Sequence, residues 1–524
     1  MLTRVDDLLR CGDADRPALT FKDETLSYGE LSRRVDEAAA GLARLGLRRG
    51  ERVIVYLEKR VETVVAMLAV SAAGGVFVPV NPLFKARQVG YVAADCAARM
   101  MITTRERYRS LRTELGSVES LRHLVLIGEQ TGGELRPASP RQLVTHWAQL
   151  REAAANAPAP DGAGVIDADI ATILYTSGST GSPKGVVLSH RNLIAGAQSV
   201  ASYLEHTGDD VVLAVLPLSF DTGFSQLTTS FIAGAHVVLV NYLMPSEVVR
   251  LCARHRITAM TCVPPLWLQL AEQTWPVESS RHLRYFANTG GRMPRTTLSR
   301  LRELFSRARP YLMYGLTEAF RSTYLDPSQV DRRPDSIGKA IPNAEVLVVR
   351  PDGSPCAPGE EGEIVHRGSL VALGYWNDPQ RTAERFRPWV PDGDGRRTEL
   401  AVWSGDLAYR DDEGFIYFVG RTDDMIKTSG YRLSPTEIEE VAYATGLVGE
   451  AVAFGAPDEQ LGHRVVLAVT GPAGGPCDTD TLLKALENDL PRYMVPHRVV
   501  VCSQLPRSGN GKFDRPRLRR MVLG

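Results

Sequence analysis

The spacing of hydrophobic and polar positions predicts an α/β fold from the start of the chain. Residues 28–47 repeat apolar side chains on one helical face, and the apolar run 52–57 has the length of a short buried strand. A further strand pattern at 170–175 follows a loop rich in Ala, Pro and Gly at 153–164. Because strand and helix patterns alternate in this way, we expect layered α/β structure.

The alternation of strand and helix patterns continues over residues 211–306 and is absent from residues 336–418. Strand and helix patterns are interleaved at 211–216, 236–240, 246–255, 259–262, 284–288 and 294–306. Within 336–418 the pattern changes to short alternating runs, such as 344–349 and 362–365, separated by turns that contain Gly and Pro. The sequence therefore predicts a second α/β half followed by a β-rich lobe.

A polar turn, Arg421-Thr422-Asp423-Asp424, precedes a last unit of different character. Its helix and strand patterns lie, in the order helix, strand, strand, helix, at 435–444, 451–454, 465–469 and 479–490. Residues 1–422 are thus predicted to form one large domain, made of two α/β subdomains plus the β-rich lobe. Residues 423–524 are predicted to form a small α+β C-terminal domain.

Composition and charge narrow the classes of function. Among 524 residues, Lys and Arg number 61 and Asp and Glu number 61, so the chain lacks the positive excess of a nucleic-acid or anionic-membrane binder. The uncharged stretch 64–84 is long enough to span a bilayer, but Gly74-Gly75, Pro79 and Pro82 interrupt it. We expect a buried helix, a turn and a strand there. Seven cysteines without a CxxC pair favour a reducing cytoplasm.

One loop has the composition of a phosphate-binding site. An apolar strand pattern runs directly into Thr176-Ser177-Gly178-Ser179-Thr180-Gly181-Ser182-Pro183-Lys184. Glycines let backbone N–H groups turn toward an anion, Ser and Thr hydroxyls add donors, and Lys184 adds a positive charge. The loop is not a Walker motif, because Lys184 lies between Pro183 and Gly185, where that motif has Gly before its lysine and Ser or Thr after it.

Four further blocks follow this loop along the chain. They are Tyr314-Gly315-Leu316-Thr317-Glu318, Trp403-Ser404-Gly405-Asp406, Gly420-Arg421-Thr422-Asp423-Asp424 with Lys427-Thr428-Ser429-Gly430-Tyr431-Arg432, and Pro506-Arg507-Ser508-Gly509-Asn510-Gly511-Lys512. In this order the blocks resemble the AMP-forming adenylating superfamily of acyl-CoA synthetases, amino-acid adenylation domains and firefly-type luciferases. The resemblance covers essentially the whole chain. It implies a ligase that uses ATP to convert a carboxylic acid into an acyl-adenylate, releases pyrophosphate and then forms a thioester.

The resemblance implies roles for four residues at the reacting phosphate. Glu318 would bind Mg²⁺, for which a single carboxylate suffices beside phosphate oxygens. Thr317 would donate to the α-phosphate, and Arg432 would approach the phosphate. Lys512 would enter the site for adenylation alone, bridging the substrate carboxylate and the nucleotide.

The resemblance also places the nucleoside. Asp406 would accept both ribose hydroxyls, a role that suits an acceptor-only side chain, with assistance from Arg421. The adenine would lie beside Tyr314 and Gly315, against the turn Gly290-Gly291-Arg292, where glycines permit close approach to a flat ring.

The substrate pocket is predicted around Phe220 and Asp221, which resemble the pair that holds the substrate ammonium in amino-acid adenylating members. A buried Asp needs a cation or hydrogen-bond donors, which favours an amino acid as substrate. Alternatively, Asp221 caps the following helix through Thr222 and Gly223. The resemblance assigns six further residues to the pocket: Ser225, Ala287, Thr289, Met313, Arg321 and Ser322.

Arg321 is unexpected beside a neutral substrate side chain. Either it points away and pairs within the segment Glu318-Ala319-Phe320-Arg321, or the substrate carries a second carboxylate or polar group. The residues leave both alternatives open, and they also leave open whether the amino group is α or β.

The acyl acceptor is predicted to be a thiol that is supplied in trans. The resemblance implies that the small domain is mobile and rotates about the hinge residue Asp423 after adenylation, so that the face carrying 427–432 meets the thiol. Because the sequence ends 12 residues after Lys512, we expect the thiol of a separate acyl or peptidyl carrier protein's phosphopantetheine arm, or of coenzyme A. The basic segment 512–520 either contacts an acidic carrier or forms a solvated terminal helix.

Three hypotheses about function follow from these observations. The leading one is a free-standing amino-acid adenylating enzyme that loads a carrier protein in natural-product assembly. The alternative is an AMP-forming acyl-CoA ligase that acts on a non-amino carboxylate and in which Asp221 is structural. A non-catalytic nucleotide-binding relative is disfavoured, because Glu318, Asp406 and Lys512 are all present.

Overall fold

The structure is a computed structural model that describes residues 2–524 except 129–135, 155–163, 177–182, 391–397, 422–423, 429–430, 459–460, 473–474, 491, 493 and 510, with the backbone alone at 427, 431, 432 and 462. The strands are β1 (Pro17–Phe21), β2 (Glu24–Ser27), β3 (Arg52–Tyr56), β4 (Val76–Pro79), β5 (Met100–Thr104), β6 (His123–Ile127), β7 (Leu143–His146), β8 (Ile170–Thr176), β9 (Lys184–Ser189), β10 (Val211–Ala214), β11 (His236–Leu239), β12 (Ala259–Cys262), β13 (Tyr285–Asn288), β14 (Arg309–Tyr314), β15 (Thr323–Leu325), β16 (Ser336–Ala340), β17 (Ala344–Val349), β18 (Gly362–Gly368), β19 (Gly374–Tyr375), β20 (Phe386–Trp389), β21 (Glu399–Arg410), β22 (Ile416–Arg421), β23 (Ile426–Thr428), β24 (Tyr431–Leu433), β25 (Glu450–Asp458), β26 (Gly462–Thr470) and β27 (Arg498–Val501). The helices are α1 (Tyr28–Arg44), α2 (Val61–Ala72), α3 (Ala86–Asp95), α4 (Arg105–Gly116), α5 (Trp147–Glu152), α6 (His190–Tyr203), α7 (Asp221–Ile232), α8 (Pro245–His255), α9 (Pro264–Ala271), α10 (Val277–Ser280), α11 (Arg295–Leu304), α12 (Pro379–Arg385), α13 (Pro435–Ala444), α14 (Thr479–Asp489) and α15 (Arg515–Leu523). Short 3₁₀ helices lie at Val5–Cys11, Thr317–Ala319 and Pro327–Gln329.

The first α/β subdomain is built on an eight-stranded sheet in the order β19-β9-β8-β4-β3-β5-β6-β7. Its strands from β8 to β7 pair in parallel, whereas β9 and β19 pair antiparallel at one edge. The strand β19 comes from much later in the chain than its neighbours. It therefore brings residues that follow the β-rich segment next to β9.

The second α/β subdomain and the β-rich lobe share one 14-stranded sheet. Its parallel part runs β14-β13-β12-β10-β11-β1, and the antiparallel strands β15 to β18 and β20 to β22 continue it. The predicted α/β fold with two subdomains and a β-rich lobe is confirmed. The lobe extends the second sheet through hydrogen bonding between β15 and β16. The sequence pattern did not predict this pairing, because periodicity indicates single elements and not which strands pair.

The largest core lies between the two sheets and is filled by α1, α2, α6 and α7. Phe77 on β4 and Phe224 on α7 meet there, with ring centroids 5.1 Å apart. Helix α2 is buried on nearly all sides, because it lies between layers rather than on a surface. The stretch 64–84 is thus a buried helix, a turn and a strand, as predicted. Within the described ranges, none of the helices combines the length and the apolar character that crossing a bilayer requires.

The last part of the chain forms a separate five-stranded sheet, β24-β23-β26-β25, with β27 paired to β26. Helices α13 and α14 cover one core of this sheet, and α15 covers a second, smaller core. The α+β character expected for this unit is confirmed. The boundary at residues 422 and 423 lies outside the described residues and stays a prediction.

Candidate active site

The candidate active site lies at the carboxyl ends of neighbouring parallel strands. The loops after β10, β13 and β14 leave the sheet at the same edge, which is where open α/β sheets bind ligands. Side chains from these loops contact each other directly. Thr317 donates to Asp221 over 3.2 Å, and Arg321 donates to Thr289 over 2.9 Å.

Glu318 is held by two polar side chains from the first subdomain's sheet. Lys184 Nζ, at the start of β9, lies 2.7 Å from Glu318 Oε1, and the Tyr375 hydroxyl donates to the same oxygen over 2.7 Å. Burial alone would raise the pKa of Glu318, but Lys184 and Tyr375 lower it below its usual range. The carboxylate is therefore ionised and available to a cation when Lys184 turns toward a phosphate.

Tyr314, Asp406 and Arg421 form a second polar group at the junction with the β-rich lobe. The Tyr314 hydroxyl donates to Asp406 Oδ2 over 2.5 Å, and an Arg421 guanidinium nitrogen lies 3.2 Å from Asp406 Oδ1. The register of β21 and β22 places Asp406 opposite Arg421. Burial raises the pKa of Asp406 in spite of Arg421. This arrangement offers a carboxylate to a pair of hydroxyls.

Asp221 is the first residue of α7, and Phe220 is its N-cap. The Asp221 carboxylate accepts the Thr317 hydroxyl, and the Thr222 backbone N–H also stabilises it. Burial raises the pKa of Asp221 although Arg321 and Lys512 act to lower it. A Cβ on Gly223 would lie 1.9 Å from the Pro217 carbonyl oxygen, so only glycine lets the preceding turn fold against α7. Asp221 is thus both a first-turn helix residue and a pocket carboxylate.

Arg321 is buried and does not pair with Glu318. Its Nη1 donates to Thr289 after β13, and its Nε is buried without a hydrogen-bond partner among the described residues. Its guanidinium lies close enough to Asp221 to lower the pKa of that carboxyl group. The alternative in which Arg321 points away and pairs within 318–321 is therefore wrong, since Glu318 bonds to Lys184 and Tyr375 instead.

The small domain places Lys512 inside this group of residues. A Cβ on Gly290, where φ is +79°, would lie 2.6 Å from Lys512 Cε, so the lysine side chain passes directly over this glycine. Burial lowers the pKa of Lys512, while Asp221 and Asp406 act in the opposite direction. Arg292, two residues further on, extends elsewhere and lies 2.6 Å from Asp335.

The remaining predicted pocket residues are mostly buried beside these groups. Ser225 lies one turn after Asp221 on α7, and its hydroxyl lies 3.4 Å from the Thr229 hydroxyl. Ala287 on β13 and Met313 on β14 belong to the main core, and Met313 Sδ accepts the Tyr203 hydroxyl. The Ser322 hydroxyl is buried without a hydrogen-bond partner in the described part of the chain.

Several predicted residues have no described side-chain geometry. Residues 177–181 of the phosphate loop and Asp423 lie outside the described residues. Arg432 lies on β24 opposite Lys427, and the structure describes its backbone alone. Thr176 and Lys184, the last and first strand residues on either side of this loop, pair across β8 and β9. Gly291 and Gly315 lie in the turns after β13 and β14.

Three residues at the site were missed by the sequence analysis. Tyr375 reaches Glu318 because β19 pairs with β9, a contact that no local pattern indicates. Lys59 is buried and its Nζ donates to the carbonyls of residues 214, 215 and 216, just before the turn that carries Asp221. His366 on β18 is buried beside Tyr314, with ring centroids 5.9 Å apart. The scarcity of lysine, eight against 53 arginines, was a usable signal for Lys59.

Family models match most of the chain, and known proteins match nearly all of it. A model described as AMP-binding enzyme matches residues 11–376, and one described as AMP-binding enzyme C-terminal domain matches residues 437–512. Tyrocidine synthase 3 of Brevibacillus parabrevis is 31% identical over 510 residues, which are 96% of this chain but 7% of that protein. The long-chain-fatty-acid–CoA ligase of Salmonella typhimurium is 30% identical over 539 residues, covering 98% of this chain and 92% of the ligase.

Solved structures agree with these relatives. The crystal structure of ATP-bound MatB from Rhodopseudomonas palustris superposes with a TM-score of 0.84 at 26% identity, covering 99% of each chain. Fold, site and relatives lead to one conclusion. The chain belongs to the AMP-binding enzyme family and is an ATP-dependent, AMP-forming ligase that converts a carboxylic acid into an acyl-adenylate.

Proposed function

We propose that this ligase activates an amino acid and transfers it to the phosphopantetheine thiol of a separate carrier protein. The observation that carries the amino-acid part is the buried carboxylate of Asp221, held by Thr317 beside the position of Lys512. A buried carboxylate is costly unless cations or several donors face it. A substrate ammonium is such a cation, and Phe220, the buried N-cap residue before Asp221, is expected to form the adjacent wall.

The proposed nucleotide position follows the polar groups described above. The ribose hydroxyls would bond to Asp406, which Tyr314 and Arg421 orient, and the adenine would lie against Gly290, Gly291 and Gly315. The phosphates would lie between Thr317 and the paired residues Thr176 and Lys184. Residues 177–181 are expected to supply further phosphate donors.

Adenylation breaks one bond and forms another at the α-phosphorus of ATP. A carboxylate oxygen of the substrate attacks this phosphorus, its bond to the bridging oxygen of the β-phosphate breaks, and pyrophosphate leaves. Lys184, Thr317 and Lys512 would supply the hydrogen bonds and positive charge that the developing charge requires. Glu318 is an ionised carboxylate and would bind Mg²⁺ together with phosphate oxygens. The bound ion would neutralise part of the phosphate charge.

The second half-reaction is proposed to use a different position of the small domain. The sequence assigns this domain to 423–524 and its hinge to Asp423, against a large domain of 1–422. After rotation, Lys512 would leave the site and the face carrying Arg432 would meet the thiol. The thiol would lose its proton to solvent, its sulfur would attack the acyl carbon, and AMP would leave with the electron pair of the broken acyl–oxygen bond.

The carrier-protein part is supported by the surface of α15. Arg517, Arg519 and Arg520 are exposed there, and Met521 beside them is 59% exposed. A basic surface with an exposed apolar side chain suits an acidic protein partner. Tyrocidine synthase 3, the relative from Brevibacillus parabrevis, is by its name a synthase rather than a CoA ligase, which is consistent with such an acceptor.

An acyl-CoA ligase with a non-amino substrate is the second candidate. The observation that favours it is the relative of similar length, whose name is long-chain-fatty-acid–CoA ligase and of which this chain covers 92%. Coenzyme A and a carrier arm end in the same phosphopantetheine thiol, so residues at the reacting centre do not distinguish them.

Substrate-dependent pyrophosphate release tests the proposal. The full chain would be assayed with ATP and Mg²⁺ across α-amino acids, β-amino acids and plain fatty or aryl acids. Turnover restricted to amino acids supports the proposal, and turnover restricted to plain acids supports the second candidate. Coenzyme A and a phosphopantetheinylated carrier protein would then be compared as acceptors of the activated acid.

A further inference from the structure

A buried guanidinium in the substrate pocket forms no direct ion pair with a carboxylate in the described part of the chain. Arg321 is 4% exposed and donates through Nη1 to the Thr289 hydroxyl, over 2.9 Å. Its Nε is buried without a hydrogen-bond partner, again among the described residues. Glu318 and Asp406 pair with Lys184 and Arg421 instead, and Asp221 acts on Arg321 without a direct ion pair, whereas most buried arginines are paired. A ligand that brings an acceptor and a negative charge would satisfy it.

The charges around the pocket indicate what such a ligand must carry. Lys184 is matched by Glu318 at 2.7 Å, and Arg421 is matched by Asp406 at 3.2 Å. Asp221 and Arg321 lie close enough for Arg321 to lower the pKa of the Asp221 carboxyl group, and Lys512 lies within electrostatic range of both. A substrate ammonium would complement Asp221, and a second substrate carboxylate would complement Arg321.

We propose that the substrate is an amino dicarboxylate, whose ammonium binds Asp221, whose reacting carboxylate faces Lys512, and whose second carboxylate binds the Arg321 guanidinium. This inference rests on the proposed amino-acid function and narrows its substrate class. The fork of Arg321 suits a carboxylate, because two N–H groups on one edge bond to its two oxygens. Thr289 accepts one hydrogen bond from Nη1, and Nε has no partner among the described residues.

A neutral substrate side chain would not satisfy this pocket. An apolar group would leave the Nε–H of Arg321 buried without an acceptor and its charge without a direct ion pair, which sites of this kind reject strongly. An amide would accept one hydrogen bond but would leave the charge unmatched. A substrate that binds Asp221 and Arg321 together is fixed at two points, and its remaining carboxylate is then held next to the nucleotide. Efficient reaction therefore requires both contacts.

The first test uses the unmodified protein and matched substrates. Pyrophosphate release would be measured with aspartate and glutamate, their half-amides asparagine, isoasparagine, glutamine and isoglutamine, the neutral amino acids alanine and β-alanine, and the diacids succinate and glutarate. We expect an amino diacid to exceed its half-amide by about a hundredfold or more in kcat/KM. Of the two half-amides, the better substrate shows which carboxylate is activated.

The outcomes separate this inference from the function on which it rests. Turnover of neutral amino acids with none of the amino diacids would overturn the inference and leave the amino-acid proposal standing. Turnover of plain monocarboxylates alone would overturn both. Turnover of succinate or glutarate equal to that of the amino diacids would retain Arg321 as the carboxylate site but contradict the ammonium site at Asp221.

Variants of Arg321 supply a second test. Arg321→Gln should raise the KM for the amino diacid about a hundredfold, with a much smaller change in kcat, and should shift preference toward the half-amide. Arg321→Lys should fall between Gln and the unmodified protein, because it restores charge without the fork. Arg250→Gln on α8, whose side chain is 75% exposed, is the matched control and should change nothing.

A binding measurement distinguishes a variant that has lost substrate binding from one that has failed to fold. Thermal melting of each folded variant would be recorded with and without the amino diacid, in the absence of ATP. Stabilisation of the Arg250→Gln variant and loss of that stabilisation in Arg321→Gln supports the inference. Equal stabilisation of both variants by the amino diacid contradicts it.

Discussion

Lys512 is the residue whose position most directly links structure to chemistry. It reaches the pocket from the small domain, passes over Gly290 and lies within electrostatic range of Asp221 and Asp406. Desolvation in this place lowers its pKa, and an anionic substrate or phosphate would restore the charged form. The lysine is therefore suited to stabilise negative charge that appears when substrate and nucleotide meet.

Replacement of Lys512 should separate the two half-reactions. We expect Lys512→Ala to slow acyl-adenylate formation about 10²- to 10³-fold, because a donor aimed at developing charge is lost. Thioester formation from supplied acyl-adenylate should be largely retained. The two rates would be measured by pyrophosphate exchange and by single-turnover thioester formation. Equal losses in both would contradict a role confined to adenylation.

Asp221 should determine whether the substrate must carry an amino group. We expect Asp221→Ala to reduce kcat/KM for amino acids about a hundredfold and to change that for the matching des-amino acids much less, because the lost interaction is with the ammonium. Asp221→Asn is the control for the contact with Thr317, since it keeps the shape without the charge. A small, uniform effect on all substrates would assign Asp221 a purely structural role in the first turn of α7.

At the scale of elements, much of the architecture could be predicted from periodicity. The strand at 259–262, the strand at 344–349 and the helix at 435–444 have the predicted bounds, because each is a single run with a clear polar end. The strand predicted at 211–216 ends at Ala214 instead. The Lys59 ammonium donates hydrogen bonds to the backbone carbonyls of residues 214–216. These carbonyls are therefore not used for pairing with a neighbouring strand.

Contacts between distant elements account for what the sequence pattern could not show. Lys59 lies about 155 residues before the carbonyls that it binds. Tyr375 reaches Glu318 through the antiparallel pairing of β19 with β9, which are far apart in the chain. The resemblance to a family identified Lys184, Glu318 and Asp406 by motif, but long-range sheet pairing, which carries no local signature, determines their partners.

His366 on β18 predicts how the stability of the folded protein depends on pH. Burial lowers the pKa of His366 to about 3, and neither ring nitrogen has a hydrogen-bond partner among the described residues. When the pKa of a histidine is lower in the folded state than in the unfolded state, the folded protein becomes less stable as the pH falls. The unfolded chain takes up a proton below about pH 6.5, and the folded chain does not. This destabilisation increases as the pH falls from 6.5 toward 3.

We expect His366→Leu to remove that part of the acid sensitivity. Between pH 6.5 and 4.5, the free energy of unfolding of the unmodified protein should fall by about 2 kcal/mol more than that of the variant. Urea titrations at several pH values would measure the difference. His497→Leu, at an exposed position just before β27, is the control and should leave the pH dependence unchanged. Parallel pH profiles for His366→Leu and the unmodified protein would contradict this account.

For the whole molecule, the contact between the two domains accompanies the position of Lys512 in the pocket, and we expect it to favour adenylation. Glu440 on α13 of the small domain accepts the backbone N–H of Arg295 over 2.9 Å, at the first turn of α11 in the large domain. Its other oxygen lies 3.7 Å from Arg292 Nε, and Asp335 pairs with both arginines. This cluster exists while Lys512 occupies the pocket. Rotation of the small domain would break it.

Removal of Glu440 should therefore shift the balance between the half-reactions. Glu440→Ala removes a helix-terminal acceptor and a partly exposed charge, together worth about 1 kcal/mol, so we expect adenylation to slow roughly fivefold. Thioester formation from supplied acyl-adenylate should be unchanged or faster, because the alternative domain position loses nothing. Glu303→Ala, which removes an exposed pair with Arg300 within α11, is the matched control. If Glu440→Ala slowed both half-reactions to the same extent, the cluster would stabilise the fold as a whole rather than one domain position, and the catalytic cycle would have to be gated elsewhere.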